Sequence, residues 1–346
     1  MTAIGTYQTN LADEIQLRSF AMIQSQWTED GITLVDVTPG KLEPGWVRLK
    51  VKACGICGSD LHTYRRHQRV NISGTPGHEF VGTIIDGPAG LDDSLYAVEP
   101  FVYCGKCLMC SSGKPQLCST KNMAGGAFPG GLSEFVDVPG VSLHQVDKNV
   151  EPLAASIAEP LAVSFRAVKL GKMSENSRVL VLGGGTIGLL SGLLARDTTN
   201  NVAITVRYPH QKTVADSIGL DTVSENDLEA WVKDNDPDVI IETVGGAGSA
   251  LTQAVQHCSP SGKIIVTGIF HETPPINATR LVTREIEMIG SFLYGTDFGK
   301  SVALVPKYSR EIELLQTHQY DLQSVSMAFQ CADDKSNQSI KVTVLP

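Results

Sequence analysis

V-L-V-L-G-G-G-T-I-G, residues 179–188, passes from an uninterrupted apolar tetrad into a glycine-rich turn. Four consecutive apolar residues suit a short strand buried on both faces. The apolar stretch that follows, residues 187–195, reads as a helix. Gly183, Gly185 and Gly188 stand at G-x-G-x-x-G spacing, with Thr186 and Ile187 completing the turn. A strand before and a helix after give this short motif its specificity. Gly183 permits the tight turn, Gly185 lets backbone approach a pyrophosphate, and Gly188 lets the helix pack closely on the strand. The helix N-terminus then presents unpaired N–H groups and the positive end of its dipole to phosphates. A glycine-rich turn that binds nothing is the competing reading.

Outward from the turn, strand-like and helix-like runs alternate. Residues 202–206 read as a strand, 212–218 as a helix, 238–242 as a strand, 250–257 as a helix and 263–268 as a strand. This α/β alternation predicts a doubly wound parallel sheet. Val266 and Gly268, on the last of these strands, join the glycine turn as cofactor-binding candidates. Sites that prefer NAD place an acid about 20 residues past the glycines, on the ribose 2′-OH. Here that place is held by Arg207, in A-I-T-V-R-Y. A guanidinium cannot accept that hydrogen bond but pairs well with a 2′-phosphate. NADP(H) is therefore favoured, with Lys212 and His210 as additional charge and NAD(H) as the other possibility. In the competing reading Arg207 faces solvent and NAD(H) binds without an acidic clamp.

Upstream the texture differs. Residues 46–53, 80–85, 95–98 and 134–138 are short β-like runs broken by Gly and Pro, which suggests a compact, irregular β domain. Past residue 293 the pattern loosens, with 302–305 and 311–317 helical and 340–344 a last strand. The expected organisation is 1–150, 151–294 and a tail, 295–346, that returns to the first domain.

Cys104, Cys107, Cys110 and Cys118 form C-x2-C-x2-C-x7-C, a set able to wrap one tetrahedral Zn²⁺ with no open position. Such a site holds a loop together and performs no chemistry. Earlier in the chain stand G-I-C-G-S-D-L-H, with Cys57, Ser59 and His62, and G-H-E-F, with His78 and Glu79. A thiolate, an imidazole and a carboxylate suit a catalytic zinc that keeps one position free. Singly, each is more often a core or surface residue.

The bulk numbers agree. The 346 residues, 42% of them hydrophobic, suffice for two domains with real cores. A net charge of -9 argues against nucleic acid as partner, and only Arg65, Arg66, His67 and Arg69 form a small basic patch. The most apolar run, residues 179–195, holds five glycines and is too short for a membrane helix. No secretory signal is visible in residues 1–19, so the eight cysteines fit a reducing, cytoplasmic setting.

Taken in order, G-I-C-G-S-D-L-H, P-G-H-E-F-V-G, the four-cysteine loop, A-E-P-L-A-V and G-G-G-T-I-G resemble the zinc-containing medium-chain dehydrogenases, closest in style to the sorbitol, threonine and butanediol branch. The resemblance runs from about residue 45 to the end. It implies a GroES-like catalytic domain joined to a Rossmann domain, with two Zn²⁺ per chain. Cys57 and His78 would be ligands of the catalytic zinc, and Glu79 a carboxylate that binds it directly or by exchange with water. Glu159 matches the acid this branch uses where others have a cysteine. No cysteine lies between Cys118 and Cys258, in agreement with that. The plain alternative for Glu159 is a helix-start acid favoured by the dipole. Cys54 falls outside the ligand position and reads as packing. Three departures stand out: extra residues 1–18, a shortened segment 86–99, and Arg207 in place of the acid.

The implied reaction is hydride transfer between a secondary alcohol, polyol or sugar-derived substrate and the nicotinamide, with Zn²⁺ as Lewis acid on the substrate oxygen. Ser59 and His62 would relay the proton, unless His62 is a surface histidine. Two rivals remain: an NADPH-dependent carbonyl reductase, and a non-catalytic zinc- and nucleotide-binding scaffold or redox-sensing subunit. Tyr64, Phe101, Met123 and Phe270 are candidates for the substrate pocket. The stretch E-I-E-M-I-G-S, residues 285–291, resembles the strand through which such subunits pair, so a homodimer or homotetramer is expected.

Overall fold

The computed structural model describes residues 21–29, 31–65, 74–88, 90, 92–246 and 249–346. The extra residues 1–18 and the basic-patch residues Arg66, His67 and Arg69 lie outside the described residues. The described chain opens on an antiparallel hairpin, Met22–Thr28 (β1) and Gly31–Val37 (β2). Trp46–Gly55 (β3) follows and is the hub of a seven-stranded sheet. It pairs antiparallel with Glu79–Asp86 (β4), which in turn pairs with Leu95–Val98 (β5). Phe101–Val102 (β6) and Asn122–Met123 (β7) make a small separate ladder beside it. Phe135–Pro139 (β8) lies against β3, and Leu143–Gln145 (β9) closes the far edge on β5.

Alternation explains β3. Val47, Leu49 and Val51 are buried, while Lys50 is exposed. Arg48 is the exception, buried yet charged. Its register partner on β8 is Asp137, which accepts from Nε at 2.7 Å and from a terminal nitrogen at 2.9 Å. A fork-to-fork pair of this kind compensates the guanidinium for lost water.

The second half is a six-stranded sheet, parallel throughout. Its strands are Val179–Leu182 (β10), Val202–Val206 (β11), Asp221–Ser224 (β12), Val239–Glu242 (β13), Lys263–Val266 (β14) and Glu287–Gly290 (β15). Their order is β12-β11-β10-β13-β14-β15, so the chain reverses direction across the sheet between β10 and β13. That reversal leaves a crevice at the carboxyl ends of the strands, where ligands bind in doubly wound sheets. Every residue of β10, β11 and β13 is buried. Helices cover both faces, as the continuous apolar runs require.

The tail rejoins the first sheet. His318–Asp321 (β16) pairs with Val342–Leu345 (β17), and β17 pairs with β3. Between the halves runs the helix Ala158–Gly171, packed on the helices Thr186–Ala195 and Phe298–Leu304. None of the helices in the described residues is long and apolar enough to cross a membrane.

Candidate active site

Strand register builds the first cluster. Gly55, the last residue of β3, is the partner of Glu79, the first of β4. Cys57 lies two residues past one strand end and His78 one residue before the other, so both emerge at the same end of the sheet. One ligand atom from each of Cys57, His78 and Glu79 lies within 4.8 Å of the others. Thiolate, imidazole and carboxylate at this separation fit a Zn²⁺.

The surroundings hold these groups in place. Cys57 caps the short helix Gly58–Tyr64, and its backbone N–H donates to Asp60 Oδ2 at 3.0 Å. Asp60 Oδ1 is 3.5 Å from His78 Nδ1, and Ser59 Oγ is 3.4 Å from His78 Nε2. Burial works against a charged His78, but Asp60 and Cys57 outweigh it and raise its pKa well above the usual histidine value. Lys341, just before β17, donates to Glu79 Oε2 at 2.5 Å and to Ile56 O at 3.1 Å. Glu159 sits in the first turn of the helix Ala158–Gly171 and is buried. Burial pushes its carboxyl up to about 7, with His78 opposing the rise and Glu79 adding to it. Its carboxylate therefore senses the cluster electrostatically, although it is not among the three convergent ligand atoms.

The cysteine loop is a second cluster. One sulfur from each of Cys104, Cys107, Cys110 and Cys118 lies within 4.8 Å of the others, and none forms a disulfide. A tetrahedral Zn²⁺ at about 2.3 Å from each sulfur sets neighbouring sulfurs about 3.8 Å apart. Cys110 Sγ is 3.5 Å from Cys107 Sγ and 3.9 Å from Cys104 Sγ, which fits. Hydrogen bonds from the Cys104 backbone and from Thr120 hold the Cys118 thiol down, at about 6.

The third element is a cleft of about 300 Å³ at the carboxyl ends of β10, β11 and β12. Gly183, Gly184 and Gly185 form one wall. Gly183 has φ +113°, and a Cβ on Gly188 would stand 1.8 Å from Gly183 O, so the turn and the helix behind it depend on both glycines. A Cβ on Gly185 would meet nothing within 4 Å. That open space is where a pyrophosphate can approach backbone. Arg207, Glu225 and Lys335 supply the charge of the lining.

Comparison with known proteins agrees with this geometry. Residues 43–148 match the alcohol dehydrogenase GroES-like domain, and residues 186–307 the zinc-binding dehydrogenase domain. A sorbitol dehydrogenase of Halalkalibacterium halodurans is 31% identical over 327 residues, covering 89% of this chain and 93% of that protein. The chain belongs to the zinc-binding alcohol dehydrogenase family. Among solved structures, an alcohol dehydrogenase (rspB) of Escherichia coli CFT073 complexed with NADH is 28% identical with a TM-score of 0.87. The match covers 94% of this chain and 99% of that one. A zinc-binding dehydrogenase of Sinorhizobium meliloti 1021 bound to NADP is 25% identical, also with a TM-score of 0.87, over 95% and 100% of the two chains.

As a zinc-binding dehydrogenase, the chain is an NAD(P)-linked oxidoreductase, and its candidate residues fall into three groups. Cys57, Ser59, His78 and Glu79 come together, as do the four loop cysteines. Gly183, Gly185 and Arg207 line the cofactor cleft. Thr186, Ile187 and Gly188 stand behind the turn, where Thr186 Oγ1 donates to Ile340 O and ties the turn to the tail. Lys212 does not reach the cleft, because Asp216, one helical turn on, takes its ammonium at 2.7 Å. His210 stacks on Tyr208. Val266 and Gly268 lie outside the cleft lining, and Gly268 packs against Gly245 and buried Glu242. Of the four aromatic and apolar pocket candidates, Tyr64 packs on Phe329, Phe270 packs on the nucleotide-domain core, and Phe101 pairs with Met123. His62 is half-buried, its ring edge-on to exposed His271 at 4.5 Å.

Sequence reasoning missed Asp60, Lys341 and Glu225. Asp60 had a local signal, an acid three residues past a helix-capping Cys57. Lys341 and Glu225 had none, since only the fold brings them to their partners.

Proposed function

We propose that this dehydrogenase interconverts a secondary alcohol, polyol or sugar-derived substrate and its carbonyl, with NADP(H) favoured over NAD(H). The observation that carries the reading is the convergence of Cys57, His78 and Glu79 at one sheet end, with buried Glu159 beside them. Cys57, His78 and Glu79 would hold a Zn²⁺, which would supply a Lewis acid for the substrate oxygen, and the cleft at Gly183–Gly185 would hold the nicotinamide cofactor that would supply the hydride chemistry. Ser59, beside His78, takes the hydroxyl proton as it gives up its own toward His62. His62, one turn along the same helix, hands it outward past His271. Arg207 in the cleft supports the NADP(H) preference, and the sorbitol dehydrogenase relative supports the polyol class. The eight free thiols support a reducing, cytoplasmic location. The exposed edge strand β15 supports pairing with a second copy.

Zinc content and turnover test the central claim. Elemental analysis of the purified protein should find about two zinc atoms per chain, and about one in Cys57→Ser. That variant should lose at least about 100-fold in kcat/KM on its best polyol. A single zinc in the unaltered protein would sink the catalytic assignment. A panel of polyols offered with NAD and with NADP then names the substrate, and strict use of NAD would refute the cofactor preference.

A further inference from the structure

The cleft holds the acid that its glycine motif leads one to expect, though not at the expected place. Strands β11 and β12 run parallel, and their last register pair is Val206 with Ser224. The next residue on each strand, Arg207 and Glu225, therefore leaves the sheet side by side. Arg207 Nε donates to Glu225 Oε1 at 2.9 Å, and both side chains line the cleft beside Gly183–Gly185.

The backbone beneath them is fixed. Gln211 Oε1 accepts from the N–H groups of Arg207 and Tyr208 at 2.9 and 3.2 Å. The side chains above are not: Arg207 is 62% and Glu225 49% exposed. An ion pair this exposed is weak and opens readily for a competing ligand. The two groups want opposite ligands. A carboxylate accepts the ribose 2′-OH, whereas a guanidinium binds a 2′-phosphate that the carboxylate would repel.

We propose that Glu225 is a specificity-determining residue, which keeps NAD(H) usable by accepting its 2′-OH and tempers the preference that Arg207 gives to NADP(H). In the free protein the two side chains neutralise one another. With NADP(H) bound, Arg207 leaves Glu225 for the phosphate; with NAD(H) bound, Glu225 takes the hydroxyl. Lys335 enters the same cleft from the returning tail, so two cations face one acid and the balance tilts toward the phosphate. The proposal rests on the reading of Arg207 as the 2′-recognition residue.

Calorimetric titration with ADP-ribose and 2′-phospho-ADP-ribose, which differ only at the 2′ position, tests it without turnover. In the unaltered protein the phosphorylated ligand should bind within about tenfold of the other. Glu225→Gln should shift the affinity ratio at least about tenfold toward 2′-phospho-ADP-ribose, mainly by weakening ADP-ribose. Arg207→Gln should shift it by a similar factor the other way. A ratio left within about twofold by Glu225→Gln, while Arg207→Gln still moves it, overturns the role of Glu225 and leaves that of Arg207 standing. A ratio that Arg207→Gln does not move removes both. Both positions are exposed, and unchanged circular dichroism confirms that each variant is folded.

Discussion

Lys341 and Glu79 form an ion pair with almost no water: Lys341 is 3% exposed and Glu79 1%. Two charges so deeply placed repay their desolvation only through close geometry and further hydrogen bonds, here the one to Ile56 O. The pair ties the start of β17 to the start of β4, directly behind the Cys57–His78 cluster. Removing one partner strands the other charge. Lys341→Met should therefore cost about 3–5 kcal/mol, a fall in Tm of roughly 5–10 °C, when both proteins are melted free of metal. Replacing both, as Lys341→Met with Glu79→Leu, should recover most of that stability by calorimetry, because no buried charge is left alone. A Lys341→Met protein that melts within about 1 °C of the unaltered one would show that the pair carries no stability. The double variant is not expected to regain activity, since Glu79 faces the metal position.

Between elements, Asp297 plays the corresponding part. It precedes the helix Phe298–Leu304 and accepts from Lys169, on the helix that carries Glu159, and from Lys300. Burial would raise its pKa, but the two ammonium groups outweigh that and hold it below the usual aspartate value. A carboxyl depressed in the folded state contributes stability above its unfolded pKa, about 4, and loses it as pH falls through the folded value. Asp297→Asn should lower Tm at neutral pH, and its melting curve should converge with that of the unaltered protein well below pH 4. Parallel curves across that range would rule out the contribution. How much of this was legible in advance depends on where each signal sits. β10 and β11 could be read to the residue because fully buried runs carry a dense apolar signal, and the helix Ala250–His257 because its buried residues recur at helical spacing. β12, D-T-V-S, escaped: four half-polar residues at a sheet edge look like a loop. The hairpin β1–β2 and the helix Val325–Asp333 were missed likewise, their burial coming from distant contacts. At the site, the cysteine loop was legible because its spacing is local, whereas Cys57, His78 and Glu79 were read from their residue types and from the family resemblance. Glu79 and Lys341 lie 262 residues apart, and only strand pairing joins them.

At the scale of the whole molecule, the six-stranded sheet has one edge that calls for a partner. β15 closes the sheet with Glu287, Met288 and Gly290 exposed, and Val282 and Phe292 nearby are exposed as well. An edge strand shows a row of unpaired N–H and C=O groups, a template for another strand. Glu287 is a weak guard against pairing, because a two-fold axis can set it away from its own copy. An antiparallel union of two such edges would continue the sheet through both subunits and cover Met288 from each side. A second exposed apolar group, Leu108, Leu117 and Val141, lies near the cysteine loop, far from β15 in sequence. Light scattering should therefore give at least a dimer for the unaltered protein. Met288→Lys, which sets two ammonium groups against each other across the axis, should shift it toward monomer at micromolar concentration while both zinc atoms are retained. A monomeric unaltered protein would remove the edge-pairing argument. A Met288→Lys protein that keeps its mass would move the interface to the cysteine-loop face, and Leu108→Glu would then be the variant that dissociates it.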